Sequence, residues 1–210
     1  MPSLVWLITG SSSGLALCLS RAALAAGHKV IATSRCPERY SDLVAEIEES
    51  GDRIWKQLDV VGAQLEQEVE QCIEKFGRLD VVVNNAGTEG FSTVPGLSMY
   101  AASKFALEGA SEALSAELAG FGIRVLIVEP GGMRTNFLDS GSVHNAGLSE
   151  PYRGGAVDKV MQAIIATHGT QMQDPVRTAK RIVEAVAGAG QGWPRDREKF
   201  LRLPVGQGKC

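Results

Sequence analysis

Tyr100 and Lys104 stand four residues apart in Met99–Leu107, a stretch free of glycine and proline. On a helix, positions four apart share a face. An ammonium beside a phenol favours the phenolate and draws the tyrosine pKa down from about 10. A tyrosine so placed can act as a general acid or base. Taken alone, the spacing also describes an ordinary surface pair. A second group is Thr9-Gly10-Ser11-Ser12-Ser13-Gly14-Leu15-Ala16. Where such a turn opens a helix, its bare N–H groups form an anion site suited to a pyrophosphate. The spacing is GxxxGxA rather than GxGxxG, and a plain Gly/Ser turn competes with the phosphate reading.

These groups need elements to hold them. Leu4–Ile8 is a continuous apolar run, as in a strand buried on both faces. Leu15–Ala26 reads as a helix stopped by Gly27, and Val30–Ala32 as a second strand. Ser41 can cap a helix running to Ser50 and ended by Gly51; Arg53–Leu58 reads as a third strand. Leu65, Val69, Cys72, Ile73 and Phe76 recur at helical spacing before Gly77, and Leu79–Val83 is a fourth strand. Three rounds of alternation predict an α/β fold, a doubly wound parallel (Rossmann-like) sheet with right-handed crossovers. Such sheets bind ligands at the carboxyl ends of their strands, where Thr9-Gly10, Ser34-Arg35, Asp59 and Asn84-Asn85 fall. An acidic residue after the second strand would accept hydrogen bonds from a ribose diol. The hydroxyl and guanidinium of Ser34 and Arg35 suit a 2′-phosphate instead, which points to NADP(H) over NAD(H), against a solvated surface arginine.

Further on, Met99–Ala119 reads as a long helix and Ile123–Val128 as a buried strand. Leu138–Tyr152 is polar and Gly/Ser-rich, like a mobile loop or lid. Asp158–Thr167 carries a helical face, Asp174-Pro175 starts a helix, and Phe200–Val205 is a short strand. There is no repeat or linker. The chain reads as one dinucleotide-binding domain over 1–210, with a substrate loop near 138–170.

Composition excludes several classes. With 210 residues the chain needs no disulfide or metal staple. Its 21 basic and 24 acidic residues show no basic block, which argues against nucleic acid. No run approaches the roughly 18 apolar residues of a membrane span. Cys18, Cys36, Cys72 and Cys210 lack metal-ligand spacing and read as reduced thiols of a cytoplasmic protein. His28, His144 and His168 are scattered and suggest no metal site.

In company, the motifs resemble the short-chain dehydrogenase/reductase family. The matching pieces are Thr9-Gly10-x-x-x-Gly14, Asp59-Val60, Asn84-Asn85-Ala86-Gly87, Tyr100-Ala-Ala-Ser-Lys104 and Pro130-Gly131-x-x-x-Thr135, in family order. The resemblance implies that Gly10, Ser12, Ser13, Gly14 and Leu15 hold the pyrophosphate of NADP(H). It implies that Arg35 meets the cofactor, that Asp59 meets adenine and that Asn85, Ala86 and Gly87 contact the cofactor. It implies that Pro130, Gly131 and Thr135 lie along the nicotinamide. Tyr100 would exchange the proton, and Lys104 would lower its pKa and bind ribose. The partner would be a small carbonyl or alcohol substrate, and a homo-oligomer is possible.

One interval departs from the family. Gly87 and Tyr100 are 13 positions apart. Roughly fifty residues of the family pattern are absent, more than one ~30-residue βαβ unit. They correspond to about one strand and two helices, and would hold the catalytic serine and a supporting asparagine. The fourth strand is then fused to the tyrosine helix, and the sheet could close by pairing the Val81 and Val125 strands. Thr88 falls near the place of the serine, as a surrogate hydroxyl or as a loop residue. Three functions follow: an NADP(H)-dependent oxidoreductase impaired by that loss, an inactive nucleotide- or partner-binding protein, or a non-redox isomerase or cyclase.

Overall fold

The computed structural model describes residues 2–48, 51–85, 94–135, 148–188 and 200–205. The chain divides into two compact units, Met1–Gly87 with Pro175–Ala189, and Thr88–Asp174 with Gly190–Cys210.

The first unit carries β1 (Val5–Ile8), α1 (Gly14–Ala25), β2 (Lys29–Ser34), α2 (Ser41–Glu48), β3 (Arg53–Gln57), α3 (Leu65–Glu74), β4 (Val81–Val83) and α6 (Pro175–Ala187). Its sheet is parallel with order β3-β2-β1-β4. Every residue of β1 is buried, and so are Val30–Ser34 of β2. That explains their unbroken apolar runs, because a central parallel strand is covered on both faces. On one face Val5, Leu7, Ile31, Leu58 and Cys72 form a core, with Ile54, Val69 and Phe76 packed against it. α6 packs on α1 and buries Ala179, Ile182 and Val183. α1 ends in a Schellman turn: Gly27 (φ 81°) donates to the Leu24 carbonyl and His28 to the Ala23 carbonyl.

The second unit carries α4 (Ser98–Leu118), β5 (Ile127–Pro130), α5 (Ala156–Ala166) and β6 (Arg202–Val205). Here β5 pairs with β6 in parallel, in register Ile127↔Arg202 to Pro130↔Val205. Within the first unit β4 pairs with β1, and within the second β5 pairs with β6. β4 is only three residues long, and residues 123–126 join no ladder. Of the loop expected over 138–152, residues 138–147 lie outside the described set.

Candidate functional site

The turn after β1 is wired to three strands of its unit. The Thr9 N–H and hydroxyl both donate to the Val83 carbonyl, each at 3.1 Å. Asn85 returns two bonds, its N–H to Thr9 Oγ1 at 2.9 Å and its side-chain Nδ2 to the Thr9 carbonyl at 3.3 Å. Ser11 is fully buried; its N–H donates to the Thr33 carbonyl at 2.8 Å and its hydroxyl to that of Ile8 at 2.9 Å. Gly10 (φ 71°) and Gly14 (φ 59°) sit in the left-handed region that favours glycine, so the motif's spacing is a backbone requirement.

α1 then starts with Ser13 as an extended N-cap whose side chain makes no capping bond, and its first turn holds no acidic residue. The first N–H groups of a helix have no intrahelical partner, and the dipole adds positive character. Leu15 and Ala16 are buried and anchor this end, while Ser12 and Ser13 face outward to different degrees.

At the end of β2 the two side chains part. Ser34 is buried, and its Oγ accepts the Trp55 Nε1–H at 3.0 Å. Arg35 is exposed and has no ion pair among the described residues. Beyond β3, the Asp59 N–H donates to Glu68 Oε2 at 2.9 Å, and the Asp59 carboxylate accepts the Val61 N–H at 3.3 Å. Trp55 and Glu68 are thus holders that the sequence reading missed; each acts across a fold contact that no local motif announces.

In the second unit, Tyr100 is the third residue of α4 and its hydroxyl oxygen is buried. Lys104, one turn on, places Nζ 5.9 Å from the Tyr100 ring centroid. The four-residue spacing therefore brings ammonium and phenol ring together. At the end of β5, the Gly131 N–H donates to the Val205 carbonyl at 3.1 Å, and Thr135 to that of Met133 at 3.0 Å. Met133 bridges to Gln173, and Arg134 donates through its N–H to the Gln173 carbonyl at 3.1 Å. A Cβ on Gly131 would overlap the Gln173 side-chain amide, so this glycine admits a neighbour rather than a turn.

The expected site residues thus fall into two sets. Gly10, Ser12, Ser13, Gly14, Leu15, Arg35, Asp59 and Asn85 lie in the first unit; Tyr100, Lys104, Pro130, Gly131 and Thr135 lie in the second. Ala86, Gly87 and Thr88 lie outside the described residues. Among the described residues no group of three or more His, Cys, Asp or Glu could hold a metal ion, and no helix is long and apolar enough to cross a membrane.

A parallel sheet whose first strand feeds a glycine-marked turn and a bare helix N-terminus defines a Rossmann-like α/β protein. The chain belongs to the short-chain dehydrogenase family, whose sequence profile matches residues 4–94 and 88–146. It is 31% identical to an oxidoreductase, BOA17, of Botryotinia fuckeliana (strain B05.10), covering 96% of this chain and 88% of that one. It is 35% identical to the oxidoreductase claN of Passalora fulva, covering 78% of this chain and 96% of that one. A short-chain dehydrogenase from Streptomyces avermitilis superposes with a TM-score of 0.78 at 30% identity, covering 98% of this chain and 89% of that one. At 18% and 22% identity the likeness is one of fold (both TM-scores 0.69), in proteins solved with NADH and with NADPH. The profile matches in two segments that meet at residues 88–94. The BOA17 alignment runs over 254 positions but uses 96% of 210 residues, so about fifty positions face nothing in this chain. Both findings agree with an internal deletion between the NNAG and tyrosine motifs.

Proposed function

We propose that the chain is an NADP(H)-dependent oxidoreductase acting on a small carbonyl/alcohol pair in the cytoplasm, as one dinucleotide-binding domain whose substrate side is built from residues near 138–170. The observation that carries it is the α1 N-terminus: a rigidly wired turn, two left-handed glycines and an N-cap serine whose side chain makes no capping bond. Such an end fits a pyrophosphate. Arg35, exposed and without an ion pair among the described residues, favours a 2′-phosphate. The free thiols of Cys18, Cys36 and Cys72 support a reducing compartment.

Gly10, Ser12, Ser13, Gly14 and Leu15 would hold the pyrophosphate, Asp59 the adenine, and Asn85, Ala86 and Gly87 the cofactor's middle. Pro130, Gly131 and Thr135 would line the nicotinamide, and Lys104 would bind ribose. When bound, the nicotinamide supplies or accepts the hydride. Tyr100 gives its phenolic proton to the carbonyl oxygen in reduction and takes it back in oxidation. Lys104 stabilises the phenolate left behind, because a nearby cation favours the charged form. The family serine that would orient the carbonyl has no matched residue. An absent donor of this kind costs about 10²–10³ in rate.

That loss supports a second reading, a nucleotide binder without turnover. Titration with NADPH and NADH, followed by absorbance with a panel of carbonyl compounds, separates the two. The expected result is NADPH binding, weakened about 10–100-fold in Arg35→Ala with NADH little changed. Slow turnover that Tyr100→Phe abolishes supports the enzyme; binding with no turnover leaves the second reading. If neither nucleotide binds, both are wrong.

A further inference from the structure

His28 sits at the amino end of β2, beside the segment that enters β1, and so at the opposite end of the sheet from the turn after β1. It is buried, and its Nδ1 accepts the Leu4 N–H at 3.3 Å. A ring nitrogen that accepts carries no hydrogen, so the neutral ring keeps its proton on Nε2. That Nε2 is itself buried and has no hydrogen-bond partner among the described residues. The ring stacks on the fully buried Trp6 indole, with centroids 5.8 Å apart and planes inclined by 23°. The backbone around it is closely tied. Ser3 Oγ donates to the Gly27 carbonyl at 2.9 Å, the His28 N–H to the Ala23 carbonyl at 3.0 Å, and the Lys29 N–H to the Leu4 carbonyl at 2.9 Å. Ser3, Val183, Glu184 and Ala187 line one cavity with His28, so the last turn of α6 borders the same opening.

We propose that His28 is an acid-sensitive latch: the neutral imidazole fastens the Ser3–Leu4 segment and the last turn of α6 to the sheet, and uptake of a proton releases both. The added proton goes to Nδ1, the only ring nitrogen without one. There it turns the acceptor of the Leu4 N–H into a donor aimed at that donor, and the bond is lost. The charge is buried with no hydrogen-bond partner for Nε2, a state relieved by opening to water. The Trp6 face attracts a cation, but by less than the loss of hydration costs. Neighbouring charges do not offset this. The contacts on β1 and α1 carry no titratable side chain. On α6 the Glu184 carboxylate is engaged by Arg181 at 3.6 Å, and the adjacent Lys29 ammonium lies over Phe76, 5.2 Å from its ring centroid. Burial, and then the positive charge of the amino terminus, hold the His28 pKa below its ordinary value of 6.5. A lowered folded pKa gives stability that is complete above the unfolded value of about 6.5 and is lost as pH falls from there toward the folded one. All of these groups belong to the first unit, and the latch does not depend on the cofactor reading.

Hydrogen–deuterium exchange on the full chain tests it. Protection of the Leu4 amide and of the Val183–Ala187 amides is followed from about pH 7.5 to about pH 5.5, corrected for the intrinsic exchange rate at each pH, a range that brackets histidine titration. One proton taken up with an unfolded pKa of about 6.5 raises the opening constant by up to about ten-fold over this range, and protection of both segments should fall accordingly. In His28→Gln, whose amide oxygen can accept the Leu4 N–H but does not titrate, protection should stay level. The native chain supplies a second measurement that needs no variant to fold. Its His28 ring resonances, followed by NMR, should keep their neutral position past about pH 6.5 while Leu4 protection is already falling. Level protection in the native chain overturns the proposal. So does a fall that persists in His28→Gln, a fall that leaves the α6 amides untouched, or a ring that titrates at its ordinary value with Leu4 still protected.

Discussion

The unit built from Met1–Gly87 and Pro175–Ala189 buries Trp6, Ile8, Leu19, Val30, Ile31 and Ile47 almost completely, whereas the described hydrophobic residues buried in the other unit are only Ala101, Met133 and Leu203. The contrast does not come from a lack of apolar residues. α4 alone carries Met99, Phe105, Leu107 and Leu114, all substantially exposed. Apolar area left in water forgoes about 25 cal/mol per Å². The difference follows the deletion. The Rossmann half keeps both helical covers of its sheet, and α4 keeps a family sequence while about one strand and two helices of the family fold are gone. Even the sheet of the first unit registers the loss at its end, where Val82 of β4 is half exposed. An edge strand and exposed apolar side chains both favour association.

The sharpest way to break this contrast is to cut one side chain from each unit. Ile31→Ala opens a hole among Val5, Leu7, Leu58 and Cys72 and should cost about 2–5 kcal/mol. Leu114→Ala, on the exposed face of α4, should stay within about 0.5 kcal/mol. Urea unfolding measures both. Equal costs would mean that α4 is packed as tightly as the sheet.

A smaller effect tests how polar groups are held in the first unit. Asp80 accepts the Val5 N–H at 2.8 Å and pairs with Arg78. Burial pushes its carboxyl pKa up, but the Arg78 guanidinium and the Val5 N–H outweigh that and hold it below the usual range. A depressed folded pKa gives stability that is full above the unfolded value of about 3.9 and is lost as pH falls through the folded one. Asp80→Asn should therefore cost about 1–2 kcal/mol at neutral pH. The gap to the native chain should close on acidification below about pH 4, followed by thermal melts. A gap that persists in acid would assign the cost to shape instead of charge.

Much of the first unit was legible because its signals are local. Gly10 and Gly14 announce a left-handed backbone, Gly27 closes α1, and the apolar runs of β1 and β2 match full burial. Tyr100 and Lys104 were legible for the same reason, since one helical turn fixes their approach. What the sequence hid depends on distant partners. The Ser34 hydroxyl accepts the Trp55 Nε1–H from 21 residues away, a bond that no local motif announces. Ile123–Val128 looked like a buried strand, yet the ladder begins at Ile127 and Ile123 is half exposed. An apolar run becomes a strand only where a neighbour supplies hydrogen bonds, and here β6 supplies them from Arg202 onward. Gln173 beside Gly131 carried no local signal at all.

The smallest effect comes from the polar cluster of the second unit. Arg202 on β6 pairs with Glu112 and, at 3.3 Å, with Glu108 of α4, and its Nε lies 3.2 Å from Glu129 of β5. The Glu112 and Glu108 carboxylates hold its pKa above the ordinary arginine value. The guanidinium is solvent-accessible, so water and ions compete for every one of these contacts. Removing it leaves three carboxylates that repel one another, and that repulsion is screened over about 10 Å at 0.1 M salt. Arg202→Gln should therefore lower Tm measurably at 10 mM salt and hardly at all at 0.5 M. Asp80→Asn should keep more of its effect across the same range, because the Asp80 carboxylate accepts a backbone N–H at fixed geometry. A salt-independent loss at Arg202 would show that this cluster is shielded from water, and that the second unit is better covered than its exposed α4 residues indicate.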